Sequence, residues 1–494
     1  MDYEVNIGLE THVQLKTKSK MWCSCPNRFG SEPNTNVCPV CLGLPGVLPV
    51  ANEEALRLTV LTGLLLNSEI PRHAVFDRKN YFYPDVAKNY QVTQLAFPST
   101  LGGHVDFEFE GGLQRVRITR AHLEEDVGKN NHFDRHSGVD FNRAGVPLLE
   151  IVSEPDLTSA DMAYEYLNAL KDILVYGGVS DADMEKGMVR CDVNVSVRPK
   201  GQQELGAKIE IKNMNSFSGV RRALQYEIPR QIEAVEKGEK LRQETRRWDD
   251  VAGMTEVMRS KEHAHDYRYF PEPDLMPFEP ADDWLAEVKS RVVELPLARK
   301  QRFITDYGIP AGDAEVFKND VALGNYFEGI AKGAKNPKAV ANWIINTLNA
   351  RLAEANLAAA AEQTSMGIEP EDVELLTVND LKFAPVAIAE LVELVDSGRI
   401  SNKIAQDVFA EMFAKGGSPA AIVEAKGLAQ VSDTGAIEKL CDEAIAANPG
   451  PAADFRAGKA AALNRIKGHV MKLSQGKANP ALVGEILEQK LKAG

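Results

Sequence analysis

Four cysteines near the N terminus have a spacing that is typical of metal ligands. Cys23 and Cys25 are followed, after a gap of twelve residues, by Cys38 and Cys41. Two closely spaced thiol pairs can meet at one tetrahedral Zn²⁺, each as a thiolate. The alternative is that the thiols are buried and bind no metal. Because four thiolates leave no open coordination position, the pattern predicts a structural zinc site and not a catalytic one.

Acidic and histidine side chains on the polar sides of several predicted strands form a second set of candidates. In YEVNIGLETHVQL (3–15), apolar residues take nearly all odd positions, whereas Glu10 and His12 fall on the even, polar side. Successive side chains of a strand point to opposite faces, so these two project to the same side. The other members of this set lie in later strand-like segments: Glu124, Glu150, Asp192 and Glu210.

These dispersed acids leave two interpretations open. A single acid on a strand face is usually solvated, and the whole set could be of that kind. If the carboxylates converge in the fold, however, their mutual repulsion must be offset, which an oxygen-liganded Mg²⁺ would do. Glu125 competes with Glu124 for a place in the set, because the local alternation separates the two only weakly.

The segment HAVFDRKNYFYPDVAKNYQ (73–91) interleaves basic and aromatic residues. Lys79 precedes Tyr81 and Tyr83 in this segment. The mixture suits contact with phosphate and stacking on an unpaired base. An ordered surface loop with partly buried rings explains the segment equally well.

Charge is distributed unevenly along the 494 residues. The net charge of −14 argues against a nucleic-acid-binding surface that extends along the whole chain. From Phe455 onward, eight Lys and Arg stand against two Glu, so this end carries +6 and the remainder −20. A basic C-terminal module could therefore hold a polyanion in one place. Neither a secretory signal nor an apolar run of membrane length is apparent, so a cytoplasmic protein without membrane contact is expected.

Apolar periodicity and the positions of Pro and Gly divide the chain into a part with strands and helices and a part with helices alone. Up to about residue 290, short alternating segments between Gly, Pro, Asn and Asp predict an α+β domain with a mainly antiparallel sheet. Helices are expected near 52–66, 158–175 and 217–237. The rest is helical by period and by its Pro and Gly punctuation. It is predicted to form an all-α domain at 291–400 and a small all-α tail at 401–494.

Long motifs along essentially the whole chain resemble the B-type subunits of the tRNA-dependent amidotransferases, the GatB/GatE family. They are YEVNIGLETHVQL, CPVCLGLPG, FDRKNYFYPD, HLEEDVGK, DFNRAGVPLLEIVSEPD, GMVRCDVNVSV, EIKNMNSF and YRYFPEPDL. The end of the chain, with GHVMKLSQGKANPALV, is similar to the tail of the YqeY-like family. The resemblance implies a cradle domain at 1–290 with kinase and transamidase activity, a helical domain at 291–400, and a YqeY-like, tRNA-binding tail at 401–494.

The activity that the resemblance implies is that of an ATP-dependent ligase in protein biosynthesis. Such an enzyme takes tRNA(Asn) or tRNA(Gln) mischarged with Asp or Glu, activates the side-chain carboxylate with ATP, and amidates it with ammonia. The ammonia comes from glutamine hydrolysed in the A-type amidase subunit, and a small C-type subunit joins the two in a heterotrimer. No P-loop occurs in this sequence, so carboxylate-bound Mg²⁺ is the expected source of positive charge for the phosphates.

The resemblance also implies roles for the candidate residues. Lys79, Tyr81 and Tyr83 would contact the ATP phosphates or the 3′ end of the tRNA. The zinc held by Cys23, Cys25, Cys38 and Cys41 would be structural. The catalytic residues would be Glu10, His12, Lys79, Glu124 and Glu150. The Mg²⁺ ligands would be Glu10, His12, Glu124, Glu150, Asp192 and Glu210.

Two other functions are considered. The archaeal E-type protein of the Glu-specific amidotransferase shares the cradle motifs but carries an extra domain before its helical part. Here the helical LARKQRF (297–303) follows YRYFPEPDL (267–275) too closely for that insertion. The other alternative is a non-catalytic, zinc-stabilised tRNA-binding module. The acidic set argues against it, because carboxylates oppose the binding of RNA phosphates.

Overall fold

The computed structural model describes residues 2–184, 186–260, 267–366, 368, 373–429, 434–474 and 478–493. The chain forms two compact units that part between Ala298 and Arg299. The first unit mixes strands and helices, and the second is helical throughout its described part. The predicted change from an α+β region to an all-α region is thereby confirmed.

The first unit is built on a sheet that has eight strands in the described part of the chain. All neighbours in it are antiparallel except β10 and β11, which are parallel. The prediction of a mainly antiparallel sheet is therefore confirmed. In spatial order the strands are β12 (Met254–Ser260), β11 (Glu244–Asp249), β10 (Ile209–Met214), β9 (Val189–Pro199), β1 (Tyr3–Gln14), β8 (Pro147–Ser153), β5 (Gly112–Glu125) and β4 (His104–Phe109).

Two smaller sheets accompany the large one in the described part of the chain. One has the order β13 (Phe270–Pro271), β2 (Asp77–Asn80) and β3 (Tyr90–Thr93). The other is the hairpin of β6 (Lys129–His132) and β7 (Ser137–Asp140). The smaller three-stranded sheet is joined to β5 by Gln91, whose Nε2 donates to the Glu125 carbonyl at 2.5 Å.

Helices cover the apolar face of the large sheet. Alternation along β1 fixes this face, because Ile7, Leu9 and Val13 are each at most 1% exposed. Three of the helices lie within two residues of the ranges expected from the sequence. The helices are α1 (Glu53–Leu65), α2 (Ala160–Tyr176), α3 (Phe217–Glu236) and α4 (Asp282–Ser290).

The second unit contains helices only, in its described part. None of the helices described in the whole chain combines the length and the apolar character that crossing a bilayer requires. The helices that follow α4 are α5 (Pro296–Tyr307), α6 (Ala311–Asn319), α7 (Val321–Ala331), α8 (Pro337–Trp343) with the π-helical turn Ile344–Leu348, α9 (Asn349–Ser365), α10 (Val386–Asp396), α11 (Asn402–Lys415), α12 (Pro419–Ala425), α13 (Thr434–Ala447), α14 (Pro449–Arg456), α15 (Ala462–Leu473) and α16 (Pro480–Ala493).

The described residues of the second unit form two hydrophobic cores. The first core runs from Phe303 to Val423 and includes Ile404 of α11. The second runs from Ile437 to Leu491. Because α11 packs with the helices that precede it, we propose that the tail does not begin at residue 401. It begins between Val423, the last residue of the first core, and Ile437, the first residue of the second.

Candidate active site

Strand register gathers the predicted acids on the face of the large sheet opposite the helices. On β1, His12 pairs with Glu150 of β8, and Glu10 pairs with Asp192 of β9. On the far side of β8, Glu124 pairs with Leu148. On β10, Glu210 pairs with Asn194 of β9. Residues paired across neighbouring strands share a face, so the five adjacent strands β5, β8, β1, β9 and β10 contribute to one polar surface.

The predicted set divides into two groups of three. In each group, one potential ligand atom from every residue lies within 4.8 Å of the others. His12, Glu124 and Glu150 form the first trio, and Glu10, Asp192 and Glu210 form the second. The structure thus brings the six residues together, but as two neighbouring clusters and not as one.

The first trio is tightly packed and largely shielded from solvent. His12 Nε2 lies 3.2 Å from Glu150 Oε2 and 3.5 Å from Glu124 Oε1. The side chain of Glu124 is only 2% exposed. His122 Nε2 approaches the same Glu150 oxygen to 3.8 Å. Two carboxylates are therefore held close together beside two imidazoles.

The pKa values of the first trio reflect this crowding. Burial and the negative charge of Glu150 together raise the pKa of Glu124 to about 6. Burial alone would raise the pKa of Glu150, but the hydrogen bond from His12 and the nearby cationic groups outweigh it and lower the value. A site that opposes ionisation of one of its two acids gains from an added cation.

Buried polar atoms in and beside the first trio lack hydrogen-bond partners, as expected for a site that binds a hard divalent cation. Glu124 Oε2 and His122 Nδ1 are buried without a hydrogen-bond partner among the described residues. Burial lowers the pKa of His122 to about 4, so its imidazole is neutral at pH 7. Two carboxylates and one imidazole are a donor set that accepts Mg²⁺ or Mn²⁺.

The second trio already has internal partners. Glu10 Oε1 accepts a hydrogen bond from Asn194 Nδ2 at 2.8 Å, and Glu210 Oε2 accepts one from Thr245 Oγ1 at 2.9 Å. Lys212 extends its ammonium group to Asp192 Oδ2 and lies 3.1 Å from Glu210 Oε1. This trio therefore holds a cationic side chain of the protein itself.

The basic and aromatic segment borders the first trio from β2. Lys79 lies close enough for the charges of Glu124 and Glu150 to raise its pKa, although burial acts in the opposite direction. Its Nζ also lies 5.2 Å from the centroid of the Tyr267 ring. Tyr81 packs edge-on against the same ring at 6.0 Å, whereas Tyr83 is 57% exposed in the turn after β2.

Glu124, and not Glu125, belongs to the first trio. Glu125 Oε1 instead accepts hydrogen bonds from Lys88 Nζ at 2.5 Å and from the Val92 amide at 2.9 Å. A register irregularity between Ile118 and Arg120 of β5 shifts the alternation of this strand. The ambiguity between the two glutamates therefore has a structural origin.

Three residues of the polar face were not assigned from the sequence. They are His122, Lys212 and Arg190, whose Nη2 donates to the buried Asp126 Oδ2 at 2.7 Å. Each lies two positions from an assigned ligand on the same strand, at the spacing that places side chains on one face. The two-residue period places His122 and Arg190 on the polar side already in the sequence, although no role followed from it, and the same period extends to Lys212, which follows Glu210.

The four cysteines near the N terminus also converge. Their sulfur atoms all lie within 4.8 Å of one another, and the Sγ atoms of Cys38 and Cys41 are 3.8 Å apart. Two sulfurs bound at about 2.3 Å to one tetrahedral zinc would be separated by about 3.8 Å. A hydrogen bond from Cys23 and the charge of Lys20 lower the pKa of Cys41 to about 4. The cluster could therefore bind a metal such as zinc.

Comparison with known proteins connects both units to one family. The GatB/GatE catalytic domain matches residues 5–286, and the GatB domain matches residues 325–491. The chain is 49% identical to a protein of Carboxydothermus hydrogenoformans, with 99% of each chain covered. It is also 49% identical to one of Methylacidiphilum infernorum, with 100% of this chain and 99% of that protein covered. Both relatives are named as the B subunit of an aspartyl/glutamyl-tRNA(Asn/Gln) amidotransferase.

Proposed function

Since the chain belongs to the family of B subunits of the aspartyl/glutamyl-tRNA(Asn/Gln) amidotransferases, we propose that the polar face of its sheet activates the substrate carboxylate with ATP. The chain functions in a multi-subunit, glutamine-hydrolysing ligase that acts on aminoacyl-tRNA. Full-length similarity to B-type proteins favours this assignment over the E-type protein.

The proposed reaction has two steps. A side-chain carboxylate oxygen of Asp or Glu on the mischarged tRNA attacks the γ-phosphorus of ATP, and the bond to the ADP oxygen breaks. Ammonia then attacks the acyl carbon of the resulting acyl phosphate, inorganic phosphate leaves with the bonding pair, and the nitrogen loses a proton. Both steps bring anionic groups together, so the site must supply positive charge.

The residues of the first trio have the composition that this task requires. His12, Glu124 and Glu150 would hold Mg²⁺, which when bound neutralises phosphate charge. Glu10, Asp192 and Glu210 would hold a second ion beside it. Lys79 supplies a fixed positive charge at the edge of the first trio. The ring of Tyr267 lies beside its ammonium group and packs against the ring of Tyr81. Tyr83, which is exposed, is proposed to contact the 3′ end of the tRNA or the nucleotide.

The observation that carries this proposal is the convergence of the first trio. Its three residues come from three different strands, yet they meet within 4.8 Å in a largely buried position. A non-catalytic tRNA-binding module would not need two carboxylates there, and their charge would oppose RNA.

Release of ADP by the assembled enzyme tests the proposal. With ATP, Mg²⁺ and tRNA(Gln) carrying Glu, or tRNA(Asn) carrying Asp, we expect ADP to form even when glutamine and ammonia are absent. The same tRNA without an amino acid should give no ADP above background. ADP formation that is independent of the mischarged amino acid would contradict the proposed carboxylate activation.

Substitution of Lys79 by Met should weaken the ATP-dependent step. The change removes the fixed cation beside Glu124 and Glu150 but keeps most of the aliphatic stem. We expect the rate of amidation to fall by about 10²-fold, the magnitude typical for loss of one preorganised charge contact. Glutamine hydrolysis by the complex should be unchanged. Lys237→Met, at the exposed end of α3, is the matched control, and equal amidation by the two variants would contradict the role of Lys79.

We propose the partners that the family relationship suggests: the A-type amidase subunit, the small C-type subunit, and mischarged tRNA(Asn) or tRNA(Gln). For the tRNA, the basic end of the chain provides a local contact. Lys459, Lys490 and Lys492 are paired with acidic side chains. Arg465 and Lys472 are seven residues apart on α15, a spacing that puts them on one side of the helix.

Charge reversal at Arg465 and Lys472 should weaken tRNA binding without affecting ATP use. In the double variant Arg465→Glu, Lys472→Glu we expect tRNA affinity to fall at least about tenfold, and the salt dependence of binding to lose about two phosphate contacts. Reversal is preferred to truncation at Ser401, because truncation would remove Ile404 and its neighbours from the first core of the second unit.

The control for this experiment is Lys240→Glu with Lys289→Glu, which reverses two exposed charges of the first unit. Filter binding or fluorescence anisotropy at several salt concentrations measures both quantities. Equal affinities and equal salt slopes for the two double variants would contradict a tRNA contact on α15.

A further inference from the structure

Lys212 lies where a second divalent cation would have to bind. Its ammonium group is paired with Asp192 Oδ2 and lies 3.1 Å from Glu210 Oε1. The other carboxylate oxygen of Glu210, Oε2, accepts a hydrogen bond from Thr245 Oγ1 at 2.9 Å. Glu10 Oε1 accepts one from Asn194 Nδ2 at 2.8 Å. The second trio is thus organised around a lysine, whereas the first trio contains a buried carboxylate oxygen, Glu124 Oε2, without a hydrogen-bond partner among the described residues.

A lysine and a divalent ion cannot share this trio in the present arrangement. Both would bind the carboxylates of Asp192 and Glu210, and the two positive charges would repel at short range. The Lys212 side chain is 33% exposed, so a route toward solvent and the polar face is open to it. A displaced ammonium group needs a new anionic partner, and the phosphate of a bound nucleotide would be one.

We infer that Lys212 is an exchangeable internal cation: it fills the second trio until a divalent ion and a nucleoside triphosphate bind, and its ammonium group then contacts a phosphate oxygen. This inference rests on the proposed function, because it assumes that the nucleotide binds at the polar face. It makes Lys212 a residue that couples ion binding to nucleotide binding.

The consequence is reciprocal coupling between the two ligands. When no phosphate is present, displacing the lysine opposes ion binding, so the ion binds the second trio weakly on its own. When a nucleotide accepts the ammonium group, the same ion binds more tightly, and the nucleotide gains equally. Without the lysine, the second trio should bind the ion tightly whether or not the nucleotide is present.

Counting bound Mn²⁺ by electron paramagnetic resonance tests the inference in the complete complex. For the unaltered protein we expect one tight Mn²⁺ alone and a second that tightens at least about tenfold with a non-hydrolysable ATP analogue. In Lys212→Met we expect both ions to bind tightly without the analogue. Lys212→Arg retains a positive charge and should behave as the unaltered protein, and Lys237→Met is the surface control.

Attribution to the second trio requires one more variant. Adding Glu210→Gln to Lys212→Met should abolish the gained Mn²⁺ and leave the first ion in place. If Lys212→Met and the unaltered protein bind the second Mn²⁺ equally without the analogue, the exchange role of Lys212 is refuted while the first trio still binds. If no tight Mn²⁺ binds to any of these proteins, both this inference and the proposed function are overturned.

Discussion

Glu150→Gln is expected to reduce ATP-dependent amidation by about 10³-fold while glutamine hydrolysis continues at its normal rate. Glu150 lies at the centre of the first trio, with His12 Nε2 at 3.2 Å and His122 Nε2 at 3.8 Å. The substitution preserves the shape of the side chain but removes its charge. Of the two carboxylates in the first trio, only Glu124 would then remain to bind a divalent ion.

The measurement compares formation of amidated tRNA with release of glutamate from glutamine by the same complex. Glu108→Gln, on the exposed side of the edge strand β4, removes one carboxylate from the same sheet and should leave both activities unchanged. The account of the first trio is contradicted if Glu150→Gln amidates at the normal rate. A parallel loss of both activities would instead indicate damage to the complex.

Cys41→Ala is expected to remove bound zinc and to lower the stability of the first unit. Cys41 Sγ lies 3.7 Å from Nζ of Lys20, whose side chain is fully buried. Loss of this thiolate removes one zinc ligand and leaves the ammonium group without its charge partner, which typically costs about 3 to 5 kcal/mol. The midpoint of thermal unfolding should fall by on the order of 10 °C.

Zinc analysis and calorimetry measure the two effects of this substitution. Cys191→Ala is the matched control, because Cys191 is also buried in the first unit but lies outside the cysteine cluster. The control should retain its zinc. A full zinc content in Cys41→Ala would show that this cysteine is not a ligand, and the structural site would then have to be reassigned.

Much of the first unit could be predicted from the sequence because apolar and polar residues alternate along strands such as β1 and β9. From Ile7 to Val13 the odd positions of β1 are buried, and the even positions carry Glu10 and His12, as the pattern of residues 3–15 predicts. The family was equally evident, since its motifs extend over the whole chain. Each of these features is local, and local patterns survive folding when one face of a sheet is buried.

The grouping of the acids could not be predicted, because it depends on strand order. β8 lies between β1 and β5 in space although many residues separate it from β1 along the chain. Only this order places Glu124 and Glu150 beside His12, and gives Glu10 a different set of neighbours across β9. The choice between Glu124 and Glu125 depends on an irregularity in β5, and the sequence supports Glu124 only weakly because the apolar positions change from even to odd there.

The most direct test of the central claim is the anomalous scattering of manganese in crystals of the complex with Mn²⁺ and a non-hydrolysable ATP analogue. We expect a manganese peak in contact with His12, Glu124 and Glu150, with the nucleotide phosphates adjacent to it and to Lys79. A nucleotide bound with its ions elsewhere, and no manganese between these three side chains, would contradict the claim that this face of the sheet activates the carboxylate.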